Sequence, residues 1–125
     1  MGVKMPRLNN FTLNSNFPAV AKANSSSASL SMSAQTLGVG GNYSVTRQIS
    51  VGQGDILSPI IELGGTYYPT TLYANTDGTW QELVIIERTS PTVATMIMYI
   101  ENIGSATATH PAWTANAYLE SFRIP

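Results

Sequence analysis

The 125-residue sequence has no cysteine, which excludes a disulfide framework and any thiolate nucleophile or metal ligand. It has one histidine, His110, too few for the usual zinc ligand sets once cysteine is absent. Charge is scarce too. Lys, Arg, Asp and Glu make up 10% of the chain, against about 25% in an average soluble domain. The net charge of −1 gives nothing to steer the chain towards nucleic acid or an anionic membrane. No apolar stretch reaches the ~20 residues of a spanning helix, and Met1 to Phe11 lacks the apolar centre of a signal peptide. A Gly-x-Ser-x-Gly elbow is missing, so a serine triad through His110 has no scaffold. Calcium could draw on Asp55, Glu62 or Asp77, yet no Asp-rich loop is present. No cofactor or metal is expected, and the chain does not read as an enzyme.

Short runs of β-forming residues bounded by turn signals fill most of the chain. Ala28 to Ala34 alternates strictly, with Leu30 and Met32 on one face and Ser29, Ser31 and Ser33 on the other, as in a half-buried strand. Tyr43 to Val51 follows a glycine-rich loop. Ile56 to Leu63 contains Pro59, which marks an edge or bulge because it cannot donate to a ladder. Gly64-Gly65 opens Thr66 to Ala74. Asp77-Gly78 is a strong turn signal before Trp80 to Glu87, and Ser90-Pro91 ends that run. Val93 to Glu101 and Ala117 to Ile124 complete the set. Trp80 to Glu87 and Val93 to Glu101 are apolar on both faces, the mark of central strands. The reading is one all-β domain, an antiparallel β-sandwich of about seven or eight strands. It spans residues 25–125 behind an irregular N-terminal arm, residues 1–24. Leu83, Ile85, Ile97 and Phe122 are expected in the core.

The order Gly78-Thr79-Trp80 to Glu87, then Thr92 to Ile100, then Ala117 to Ile124 resembles the second half of a galactose-binding-like jelly roll, and Tyr43 to Val51 resembles an earlier strand of it. Carbohydrate-binding modules and many phage tail and capsid-surface proteins carry such domains. The resemblance implies a jelly roll and a binding or structural role, not catalysis.

The expected function is therefore a non-enzymatic virion surface protein, a capsid-decoration or tail-tip subunit. Its expected partners are a capsid or tail protein lattice, further copies of itself and a surface glycan. The alternative is a free, extracellular carbohydrate-binding module. Sugars present C–H faces to aromatic rings and hydroxyls to amides and carboxylates. That chemistry singles out Tyr67, Tyr68, Tyr73, Trp113 and Asn75 as contact residues, with His110 in a polar loop at the surface or an interface. Phe11 and Phe17 would anchor the arm on a neighbour.

Overall fold

The computed structural model describes residues 21–52 and 56–123. They form ten strands: β1 (Ala21–Met32), β2 (Gln35–Leu37), β3 (Asn42–Ser50), β4 (Ile56–Leu63), β5 (Thr66–Tyr68), β6 (Leu72–Thr76), β7 (Trp80–Ser90), β8 (Val93–Asn102), β9 (Ala108–His110) and β10 (Trp113–Arg123). There is no helix among the described residues. Two antiparallel four-stranded sheets, β1-β10-β4-β5 and β3-β8-β7-β6, make the sandwich, and β9 pairs with β2 in a small third sheet. Residues 21–24 of the expected arm belong to β1. Phe11 and Phe17, like the side chain of Phe122, lie outside the described residues.

Local chemistry sets the hairpins. Gly64 and Gly65 have φ of 56° and 89°, the paired left-handed conformation of a two-residue type I′ turn, and Leu63 pairs with Thr66 across it. Gly78 does not adopt positive φ. Instead Asp77 makes that turn: its Oδ1 accepts the N–H groups of Thr79 at 2.8 Å and Trp80 at 2.6 Å. Those backbone N–H groups lower the Asp77 pKa. Pro59 pairs with Leu119 of β10, while β5 reaches only Ile61 to Leu63. The missing N–H therefore costs no bond on the β5 side.

The core lies between the two large sheets. The second sheet contributes Ile49, Trp80, Val84, Ile86, Ala94, Met96, Met98 and Ile100, and the first contributes Ala28, Met32, Ile61, Ala115, Ala117 and Leu119. Successive strand residues point to opposite faces, and β7 buries Trp80, Val84 and Ile86, all of one parity. Leu83, Ile85 and Ile97, expected in the core, are half-buried on the outer face. The reason is parity: Trp80 and Leu83 are three apart and cannot both face inward from one strand. β8 alternates strictly, with Ala94, Met96, Met98, Ile100 and Asn102 buried.

Candidate functional site

Two places gather chemically capable side chains, one inside the sandwich and one on its surface. The interior one begins at the Asp77 turn. Trp80 and Glu82, two residues apart on β7, both face inward. His110 ends β9 and is only 3% exposed, whereas the sequence suggests a polar loop at the surface or an interface. Its Nε2 lies 2.5 Å from Glu82 Oε2, and its Nδ1 lies 2.8 Å from the Pro111 carbonyl oxygen. A carbonyl can only accept, so Nδ1 donates to Pro111 and Nε2 faces Glu82. Asn75 Nδ2 donates to the other Glu82 oxygen at 3.2 Å. Trp80 meets the imidazole edge-on at 5.1 Å, and Trp113 lies 5.6 Å from it on the other strand system. Tyr68 and Tyr73 pack together at 4.9 Å. Burial, then the neighbouring Tyr68 and Glu82, raises the Tyr73 pKa.

These contacts tie β6, β7, β9 and β10 together at one end of the sandwich. Both imidazole nitrogens are engaged, and a general base needs one within reach of a reacting proton. Four of the six contact candidates, His110, Trp113, Tyr68 and Tyr73, are turned inward with their rings on one another or on core groups. Asn75 is exposed but committed to Glu82. No group of three or more His, Asp or Glu among the described residues could hold a metal ion.

Tyr67 is the one aromatic residue of the set that stands in solvent, 61% exposed, and it has a partner the sequence reading missed. Tyr118 of β10 is 42% exposed, and the two ring centres are 6.3 Å apart with planes inclined by 32°. Beside them, Asn116 Nδ2 donates to Glu62 Oε1 at 2.6 Å, and Gly65 N donates to Glu62 Oε2 at 2.7 Å. The Asn116 amide first and the Gly65 N–H second lower the Glu62 pKa. Strand register builds this patch: Glu62 pairs with Tyr67 on one side and Asn116 on the other, and Tyr118 pairs with Ile60. Shallow clefts of about 240 and 220 Å³ flank Tyr118, lined by Ser25, Ser27 and Glu120 on one side and Ser29, Arg47 and Asn116 on the other.

No protein-family model matches this chain, and searches of curated proteins and of solved structures found no match. What stands is the all-β sandwich and its surface chemistry. Tyr118 was legible in principle. Ala115, Ala117 and Leu119 share one parity of β10, so Tyr118 between them must face the other way.

Proposed function

We propose that the chain is a non-enzymatic structural subunit of a virion surface, a capsid-decoration or tail protein on a galactose-binding-like jelly roll, which binds a protein lattice and copies of itself. The observation that carries this reading is the outer face of the sheet β3-β8-β7-β6. Leu72 pairs with Ile85 and Ile85 with Ile97, while Ala74 pairs with Leu83 and Leu83 with Tyr99. These residues form two adjoining rows that face away from the core. Leu72 is 52% exposed, and Leu83, Ile85, Ile97 and Tyr99 are half-buried. Contiguous apolar surface of this kind marks a contact with another protein. The engaged imidazole of His110 supports the non-enzymatic part of the reading. The arm, with Phe11 and Phe17, supplies a second attachment.

Sedimentation velocity tests this directly. The intact chain should form species heavier than 13.4 kDa at about 100 µM, a concentration that populates even micromolar association. Leu72→Lys should return it towards the monomer with an unchanged far-ultraviolet spectrum. A monomer throughout, or association indifferent to Leu72→Lys, would remove the support of the apolar face.

A further inference from the structure

We propose that the outer face of the opposite sheet, β1-β10-β4-β5, binds a neutral oligosaccharide, its sugar rings stacking on Tyr67 and Tyr118 and its hydroxyls meeting Glu62 and Asn116. The inference goes beyond the assembly reading and does not depend on it, because the two faces lie on different sheets. Tyrosine rings on a sheet face offer a flat apolar surface with a polar tip, which suits a ligand that is apolar on its C–H face and polar at its rim. Here two such rings lie close enough for one short oligosaccharide to span both.

The neighbouring groups match the rest of the ligand. The Glu62 carboxylate is fixed between Asn116 and Gly65 N–H, and each of its oxygens keeps acceptor capacity for a sugar hydroxyl. A carboxylate held in place before binding loses little freedom when the ligand arrives. The serines of β1 carry hydroxyls onto the same face, where Ser31 meets Thr114 at 2.9 Å. Arg47, beside this face, donates to the Ser29 carbonyl oxygen at 2.7 Å. With Glu62 ionised and Glu120 on the same face, an anionic sugar is disfavoured. A protein partner fits less well: although Ile60 is an exposed aliphatic residue on this face, the rows of Leu72, Leu83, Ile85 and Ile97 are on the other sheet, and this face is rich in hydroxyls.

The test is a two-dimensional NMR titration of the full chain, in separate experiments, with cellohexaose, maltohexaose and a linear β-1,4-galactohexaose, each to about 10 mM, a range that detects millimolar binding. At least one should shift the backbone amides of Glu62, Tyr67, Asn116 and Tyr118. Tyr67→Ala and Tyr118→Ala should each weaken that binding about tenfold or more, with unchanged circular dichroism, while Tyr118→Phe should keep it within about threefold. Both tyrosines are exposed, so these variants should fold. The proposal is overturned if none of the three sugars shifts these amides, if shifts fall elsewhere, or if the alanine variants bind as well as the parent. Such a failure would leave the Leu72→Lys result, and with it the assembly reading, unaffected.

Discussion

Asn102 ends β8 with a fully buried side chain and uses all of it. Its Nδ2 donates to the carbonyl oxygens of Leu37 and Ala106, both at 2.9 Å, and its Oδ1 accepts Gly104 N–H at 2.9 Å. Its backbone accepts from Gly40 N–H and donates to the Gly41 carbonyl. One residue thus ties the loop after β2 to the loop before β9. Asn102→Ala would strand two carbonyls and an N–H, and leaving such groups unpaired costs about 1–3 kcal/mol apiece unless water reaches them. A loss of about 2–4 kcal/mol is expected in chemical denaturation, with an unchanged slope. A loss under about 1 kcal/mol would mean that water takes over the three bonds. Asn102→Asp should be no better, since a carboxylate would face the two carbonyls with no donor.

At the level of strands, β7 and β8 show what sequence could and could not deliver. Their ends were legible, because Asp77-Gly78 and Ser90-Pro91 interrupt the runs, and β7 spans Trp80–Ser90 as that punctuation requires. Which parity faces inward was not legible, since Leu83 and Ile85 are as apolar as Val84 and Ile86. Only a second sheet laid on one side decides it. The consequence is measurable. Ile100→Ala should cost about 2–5 kcal/mol, the usual loss for a fully buried aliphatic, and Ile85→Ala less than half of that. Equal losses would mean the outer face is packed as tightly as the inner one. The candidate sites follow the same logic. Glu82 shares a face with Trp80, Val84 and Ile86, so an acid pointing into the core demanded a partner. That its partner would be His110, 28 residues on, depends on where β9 lands, which no local pattern encodes. Tyr67 could be singled out from the sequence, but its pairing with Tyr118 rests on the β4-β5 and β4-β10 registers.

Across the whole molecule, charge is divided unevenly. Residues 1–24 contain Lys4, Arg7 and Lys22 and no acid, a formal +3. Residues 25–125 contain Arg47, Arg88 and Arg123 against Asp55, Glu62, Asp77, Glu82, Glu87, Glu101 and Glu120, or 3 − 7 = −4. The sum, +3 − 4, is the net −1 of the chain. The apolar outer face of β3-β8-β7-β6 carries Glu87 and Glu101 on its own side, the latter accepting from Tyr99 Oη at 2.9 Å. A segment that is basic and bears Phe11 and Phe17 complements that face in both charge and hydrophobicity. Twenty residues before β1, at up to ~3.3 Å each, could reach across to a neighbouring subunit. Under the proposed assembly role, the arm of one copy docks on this face of the next. Deleting residues 1–20 removes nothing from β1, which starts at Ala21, so the truncated chain should remain folded and lose association. Salt should weaken association of the intact chain in parallel, because exposed charges are screened over about 8–10 Å at 0.1–0.15 M. If the truncated chain unfolds, the arm belongs to the core and docking on a neighbour fails. If it associates as before, with the same response to salt, the contact lies between sandwich faces alone.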